Sequence, residues 1–189
     1  MVRSQTLYPT ELRALAGDDY FNVANPLPFA QPPGDNEVSG IMHQPQQIDA
    51  LRLLATRFRS AICATDPSEV DPEVRFIVDA FPTDACGEVC LLLGHYLREN
   101  GFPEAEYVNG IRRSDGRSHA WIETDGIIVD ITSDQFAEIV EEVVVTGDAT
   151  WHREFCDQPG RRPADFLIYG ADTPHGLAYA PIASHLPRT

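Results

Sequence analysis

The stretch GRSHAWIETDGIIVDIT, residues 116–132, has the pattern of a β-hairpin, the feature on which the fold class depends. Apolar and polar residues alternate through HAWIE, and the β-rich run IIVDIT follows the pair Asp125 and Gly126. An Asp-Gly pair between two such runs favours a type I′ turn, because this turn needs φ > 0 at both central residues. We therefore expect two antiparallel strands joined by a two-residue loop.

The length of this loop determines which side chains share a face of the hairpin. With a two-residue loop, His119 lies opposite Thr132. Trp121 lies opposite Asp130, and all four side chains point to one side because side chains repeat with a period of two. His119 and Asp130 are then diagonal neighbours with Cβ atoms roughly 7–8 Å apart or less, which lets a carboxylate reach an imidazole. The hairpin thus predicts a His held by an Asp, which is two-thirds of a nucleophilic triad.

Several classes of function are excluded by composition and charge. The 189 residues are 43% hydrophobic and 23% charged, which is typical of a globular protein with its own core. The net charge is −15 and all 14 basic residues are Arg, so we expect no nucleic-acid partner and no Lys nucleophile. No segment has the roughly 18 consecutive apolar residues of a membrane helix, and the N-terminus lacks the apolar stretch of a secretory signal. The sequence therefore predicts a cytoplasmic protein without a membrane partner.

The chain is expected to consist of an N-terminal arm and one domain. Residues 1–47 are rich in Pro and Gly and predict a loop or extended arm, with a short helix around residues 10–16. Residues 48–189 have the length and the hydrophobic patterning of a single domain, and no internal repeat divides them.

Three helical segments precede the strands. The segment QQIDALRLLATRFRSAICA has apolar residues at a period of 3.6, and its Arg residues, Arg59 among them, lie largely outside the apolar stripe. PSEVDPEVRFIVDAFP predicts a short helix that ends near Pro82, and a third helix runs from about Ala85 to Asn100, before the C′ residue Gly101. The strand-like runs are AEYVNGIRR, HAWIE, IIVDIT, EEVVVTG and DFLIYG. This order predicts an α+β fold, with N-terminal helices packed on an antiparallel β-sheet.

Cys86 is the candidate nucleophile. Asp84 is expected to be the N-cap of the third helix, which puts Cys86 in the first helical turn. Unpaired N–H groups and the positive end of the helix dipole favour a thiolate there, and the same N–H groups are candidate donors to an oxyanion. Gly87 is a predicted substrate-binding residue, because it leaves room for substrate to approach the backbone, whereas Cys90 is expected in the core.

Other polar and aromatic residues are weaker candidates. Trp121 either forms a wall of the cleft or belongs to the core, and Thr132 is expected to line the site, so both are predicted substrate-binding residues. Gln135 is a further candidate for positioning substrate. In WHREFCDQPGRRP, His152 and Cys156 are four residues apart, which we interpret as a surface turn of helix and not as a second site.

The four cysteines predict free thiols and no disulfide framework, because the chain has the character of an intracellular protein. The catalytic interpretation predicts no metal and no cofactor. An alternative is a zinc-binding module, whose ligands would be Cys86, Cys90, His95 and His119.

The order Cys, His, Asp resembles that of the transglutaminase-like branch of the papain-like cysteine enzymes. In that superfamily a Cys opens a helix, and a His and an Asp follow on neighbouring antiparallel strands. The matching stretches, within about residues 82–136, are DACGEVCLLLGHYLRENGF, SHAWIE and GIIVDIT. The run HAW, the DG pair and a strand ending in Asp are also similar to those of bacterial lasso-peptide leader peptidases of the microcin-processing type.

The resemblance implies a papain-like core and a single transglutaminase-like catalytic domain over residues 48–189. It implies that Cys86, His119 and Asp130 are catalytic and act on an amide of a peptide or protein substrate. Peptide hydrolysis, glutamine amidase or deamidase activity, and transglutamination all remain open. A second class of function is a non-catalytic module of the same fold that binds peptides or proteins.

Overall fold

A computed structural model describes residues 44–171 and 173–187, which form helices packed on a five-stranded antiparallel sheet. The α+β class predicted from the sequence is therefore confirmed. The short helix expected around residues 10–16, and most of the predicted arm, lie outside the described residues. The last four residues assigned to the arm, 44–47, belong instead to the first helix.

Four α-helices form in the described ranges. Their bounds are α1 Gln44–Ala64, α2 Phe76–Asp79, α3 Cys86–Glu99 and α4 Pro174–Ser184. The apolar stripe of α1 is buried as its 3.6 period predicts. Arg59 is an exception to the prediction, because it is buried on the same helix and its guanidinium pairs with Asp134 and the carbonyl oxygen of Ile131. None of these helices is long and apolar enough to span a bilayer.

Helix α3 has the predicted bounds but not the predicted N-cap. It begins at Cys86 and ends just before Asn100, and Gly101 has a φ of 95°, as a C′ residue should. Ala85 is the N-cap residue and supplies no side-chain hydrogen bond, so the prediction that Asp84 caps the helix is wrong. Asp84 instead has a φ of 58°, a left-handed conformation outside the helix, and its side chain does not cap the first turn.

The sheet has five strands in the order β4-β3-β2-β1-β5, and every neighbouring pair is antiparallel. The strands are β1 Glu106–Ile111, β2 Ser118–Thr124, β3 Ile127–Asp130, β4 Val144–Thr146 and β5 Asp157–Pro163. The first four coincide with runs that the sequence analysis predicts to be strands, and β2 extends one residue beyond the run HAWIE at each end.

The fifth strand comes from a segment where the sequence predicted none. Strand β5, DQPGRRP, is mostly polar because it is an edge strand exposed along much of its length, and Pro is tolerated at such an edge. The predicted strand DFLIYG is instead a 3₁₀ helix, Phe166–Tyr169, so that prediction is wrong. Asp165 caps this turn by accepting a hydrogen bond from the N–H of Leu167, and a capped start favours a helical turn.

The β2–β3 hairpin has the predicted two-residue loop. Ile122 pairs with Val129 and Thr124 pairs with Ile127, which is the register expected from the sequence. Asp125 and Gly126 have φ values of 50° and 74°, so both central residues have the positive φ of a type I′ turn.

Two apolar clusters hold these elements together. The main core lies between the helices and the sheet and includes Phe58, Leu92 and Ile122. A smaller cluster consists of five buried residues: Val108, Trp121, Ile128, Phe136 and Phe155. Ala149 and Trp151 pack against it. We call this second group the aromatic cluster.

Candidate functional site

His119 and Asp130 meet as the hairpin register predicts. The Nε2 atom of His119 lies 2.7 Å from Oδ2 of Asp130, and both side chains are buried, with 0% and 1% exposed. The predicted contact between this imidazole and this carboxylate is therefore confirmed. Because the carboxylate accepts a hydrogen bond from Nε2, the other ring nitrogen, Nδ1, is free to exchange a proton with a different group.

Asp130 accepts hydrogen bonds at both carboxylate oxygens. Oδ1 accepts from the backbone N–H of Thr132 at 2.9 Å and from its hydroxyl at 3.2 Å. Oδ2 accepts from His119 and also from Nε2 of His152, which lies 3.0 Å away. Burial raises the pKa of Asp130. The charge of His119 and the hydrogen bonds from both imidazoles lower this pKa by more than burial raises it, so the net shift is downward. Asp130 is thus held as an ion inside the protein.

Opposing effects also act on the pKa of His119. Burial disfavours the imidazolium, whereas the charge of Asp130, the hydrogen bond to Asp130 and a side-chain hydrogen bond with Cys86 favour it. The net result is a pKa of about 9, against an ordinary value of 6.5. His119 is therefore mainly an imidazolium at neutral pH.

Cys86 is the first residue of α3 and is half-buried against the main core. It is close enough to His119 to contribute to the raised pKa of the imidazole. No side chain caps this end of α3, so the first N–H groups of the helix receive no bond from an N-cap residue. Gly87 follows directly and is partly exposed, and a Cβ atom at this position would lie 3.5 Å from the Tyr107 hydroxyl.

The imidazole of His119 lies among aromatic rings. Its ring centroid is 5.0 Å from that of Phe136, 5.3 Å from Phe155 and 5.6 Å from Trp151. Trp121 is 4% exposed within the aromatic cluster, which agrees with the core alternative considered for this residue. These rings help to bury the imidazole, and the exclusion of water strengthens the electrostatic attraction between His119 and Asp130.

The other predicted residues occupy different places around the pair. Thr132 is fully buried and bonds to Asp130, so its side chain holds the carboxylate and does not face a cleft. Gln135 lies close to the second ring nitrogen of His119, with its Nε2 3.5 Å from Nδ1 of His119 and 2.9 Å from the carbonyl oxygen of Thr132. Cys90 is buried in the main core as expected.

His152 was missed by the sequence analysis. It belongs to a 3₁₀ helix, His152–Glu154, but it is 4% exposed and bonds to Asp130, so the prediction of a surface turn is wrong for this residue. Cys156, by contrast, is exposed. Two aromatic neighbours in the sequence, Trp151 and Phe155, are the local signal that the turn containing His152 faces inward.

The zinc site considered from the sequence is not assembled. His95 pairs with Asp165 and packs against the tilted ring of Phe166, and Cys90 is buried in the main core. Within the described ranges, the group with converging ligand atoms is His119, Asp130 and His152, whose atoms lie within 4.8 Å of one another. Two imidazoles and a carboxylate suit zinc or iron, but here both Nε2 atoms donate protons to the carboxylate, and a metal would have to replace those protons.

A thiol, an imidazolium and a buried carboxylate in this order are the groups that nucleophilic acyl transfer needs. Cys86 contributes the thiol from a helix start, and β2 and β3 contribute His119 and Asp130. No protein-family model matches the chain, and no curated protein or solved structure is significantly similar to it.

Proposed function

We propose that the protein is a cysteine-dependent acyl-transfer enzyme that acts on an amide of a peptide or protein. Cys86 is the nucleophile, His119 the acid and base, and Asp130 the group that orients the imidazole. One observation carries this proposal. His119 bonds through Nε2 to Asp130 at 2.7 Å, and the nearby Cys86 contributes to its raised pKa. The same imidazole is therefore bonded to a buried carboxylate and influenced by a thiol.

The first half of the reaction forms a thioester. With His119 an imidazolium that carries its proton on Nδ1, Cys86 attacks the carbonyl carbon of the amide as a thiolate. The electron pair of the C=O double bond moves to oxygen, and the uncapped N–H groups at the start of α3 donate hydrogen bonds to this oxyanion. When the double bond re-forms, the C–N bond breaks, and His119 gives its proton to the departing amine.

The second half of the reaction releases the acyl group. His119 takes a proton from water or from a second amine, which attacks the thioester carbon and displaces the thiolate of Cys86. Peptide hydrolysis, deamidation and amine transfer share this thioester and differ in the amide attacked and the acceptor used. The arrangement of Cys86, His119 and Asp130 also supports the papain-like, transglutaminase-like core implied by the sequence resemblance, which we include in the proposal.

Thiol labelling tests the proposal without a known substrate. We expect iodoacetamide to label Cys86 at pH 6 faster than the exposed Cys63 and Cys156, with Cys90 slowest because it is buried. The imidazolium of His119 persists at this pH, since its pKa is about 9, and it stabilises the neighbouring thiolate. Mass spectrometry of tryptic peptides gives the rate at each cysteine.

Two variants complete this experiment. His119→Gln should remove the advantage of Cys86 at pH 6, because the cationic partner is lost, and Cys86→Ser should abolish turnover in a screen of peptide and glutamine-containing substrates. The proposal is wrong if Cys86 reacts no faster than Cys63, or if Cys86→Ser retains wild-type turnover. A folded protein with an inert Cys86 would point to the non-catalytic binding module.

A second candidate function is metal binding at His119, Asp130 and His152. The observation in its favour is the convergence of three ligand atoms within 4.8 Å. Dialysis against zinc followed by metal analysis tests it. One equivalent of zinc retained by the wild type and lost in His152→Phe would support a metal site, and absence of bound zinc would exclude zinc as its occupant.

A further inference from the structure

A tyrosine and an arginine lie together next to the start of α3. Tyr107 on β1 and Arg162 on β5 are directly opposite in the antiparallel ladder, and the guanidinium carbon of Arg162 is 3.8 Å from the centroid of the Tyr107 ring. The hydroxyl of Tyr107 reaches Gly87, since a Cβ atom there would lie 3.5 Å from it. One tyrosine side chain therefore separates Arg162 from the residue that follows Cys86.

Among the residues that the structure describes, Arg162 forms no ion pair, although the chain has a net charge of −15. The ion pairs among the described residues do not include it, and its buried Nε has no hydrogen-bond partner. The preceding residue, Arg161, contacts the carboxylates of Glu106 and Glu123. Neighbouring residues of a strand point to opposite faces, so the two arginines differ in their surroundings and only Arg161 is neutralised.

The positive charge of Arg162 acts on several nearby groups. Burial is the main cause that raises the pKa of Tyr107 and of Cys90, and the negative charge of Glu88 raises both as well, whereas the charge of Arg162 opposes these shifts. Burial also lowers the pKa of His175, near the start of α4, and Arg162 lowers it further. The raised pKa of Tyr107 keeps its hydroxyl protonated.

We propose that Arg162, whose guanidinium lies over the ring of Tyr107, binds a carboxylate of the substrate close to the acyl carbon that Cys86 attacks. The guanidinium can pair with a carboxylate through two parallel N–H donors, and stacking on the ring holds this fork in place. The substrate class is then a peptide or amide with an acidic group beside the scissile bond. This inference rests on the proposed function of Cys86, because it assigns the specificity of the same site.

Two alkylating reagents of similar size but different charge provide the test. Iodoacetate carries a carboxylate and iodoacetamide a neutral amide, and both react in one way. The thiolate sulfur forms a bond to the methylene carbon, the C–I bond breaks and iodide leaves. For each cysteine, the ratio of the iodoacetate rate to the iodoacetamide rate measures local preference for a carboxylate, and differences in thiolate content cancel.

We expect Cys86 to have a higher ratio than the exposed Cys63 and Cys156, where the net negative charge disfavours iodoacetate. In Arg162→Gln the ratio at Cys86 should fall roughly three- to tenfold, because a charge-assisted contact is lost. Arg161→Gln is the matched control, since it removes the same charge from the neighbouring residue and should leave the ratio unchanged. Thermal unfolding of both variants shows whether either has lost its fold.

The possible results separate this inference from the proposed function. If Cys86 is highly reactive but its ratio is the same in the wild type and in Arg162→Gln, carboxylate recognition by Arg162 is excluded and the catalytic proposal stands. If Arg161→Gln lowers the ratio as much, the effect is one of general charge and the inference fails. If Arg162→Gln does not fold, Arg162→Lys takes its place, because it keeps the charge without the planar fork. Its rate ratio at Cys86 should lie below that of the wild type but above those of Cys63 and Cys156. A ratio equal to that of the wild type would overturn the bidentate contact.

Discussion

Asp130 is the residue on which the candidate site depends. It is buried, and its two oxygens accept four hydrogen bonds, two from the backbone and hydroxyl of Thr132 and two from imidazoles. A buried carboxylate is tolerated only when it is paired and fully bonded, and here each donor also limits how the carboxylate can rotate. His119 consequently has one orientation in which Nε2 faces Asp130 and Nδ1 is free for Cys86.

His152 should act as a positioning residue for this carboxylate. Replacing it in His152→Phe removes one donor to Oδ2, and we expect the free energy of unfolding to fall by about 1–3 kcal/mol, the cost of a buried acceptor left with an unmade bond. His152→Gln retains an N–H donor and should recover much of the loss. Urea unfolding at pH 7 measures both variants.

Labelling distinguishes positioning from stability alone. If His152 orients Asp130 and thereby His119, the rate of Cys86 alkylation at pH 6 should drop in His152→Phe and recover in His152→Gln. A His152→Phe protein with wild-type stability would show that the bond at 3.0 Å contributes nothing to the fold.

At the scale of elements, helix α1 is tied to the segment that follows β3. Arg59 of α1 donates to both oxygens of Asp134, at 3.0 and 2.7 Å, and to the carbonyl oxygen of Ile131. The segment between these two acceptors includes Thr132, which bonds to Asp130. The ion pair therefore fixes the loop that holds the central carboxylate, although Arg59 does not contact the candidate site itself.

We expect Arg59→Gln to lower the free energy of unfolding by about 2–4 kcal/mol, because it leaves a largely buried carboxylate without its partner. Arg52→Gln on the same helix is the control, since Arg52 donates one hydrogen bond to the carbonyl oxygen of Val145 and should cost only about 1 kcal/mol. A double-mutant cycle with Asp134→Asn, measured by urea unfolding, isolates the pair. Strictly additive effects in that cycle would contradict a direct interaction.

At the scale of the whole molecule, the stability should depend on pH through His119. Its pKa is raised from 6.5 to about 9 in the folded protein, so the folded state binds this proton more tightly than the unfolded chain. The resulting stabilisation is fully present below pH 6.5 and is lost as the pH rises through about 9. A shift of this size corresponds to as much as about 3 kcal/mol.

The measurement is urea unfolding between pH 6 and pH 10 for the wild type and for His119→Gln. The difference in free energy between the two proteins should shrink as the pH rises, because the variant lacks the titrating group and other groups contribute equally to both. If the two curves stay parallel over this range, His119 does not have the raised pKa, and the ion pair with Asp130 is weaker than its geometry implies.

Local sequence patterns were sufficient to predict most of the helices and strands and the His119–Asp130 pair of the candidate site. The Asp125-Gly126 turn sets the hairpin register from two residues, and the register alone predicts that His119 meets Asp130. The approximate bounds of α3 follow from a helical period and a C′ glycine, which put Cys86 in its first turn. These predictions succeed because hydrogen bonds and side-chain alternation within a hairpin or a helix involve residues near in sequence.

What only the tertiary structure decided depends on contacts between distant segments. Strand β5 has no hydrophobic alternation, and it is a strand because the free edge of β1 pairs with it. His152 bonds to Asp130, 22 positions away in sequence, and Arg59 bonds to Asp134, 75 positions away. Arg162 contacts Tyr107 only after β5 joins the sheet. The sequence by itself determined the local elements and the His–Asp pair, whereas packing determined which polar residues are buried, because a polar side chain enters the interior only where folding supplies its partner.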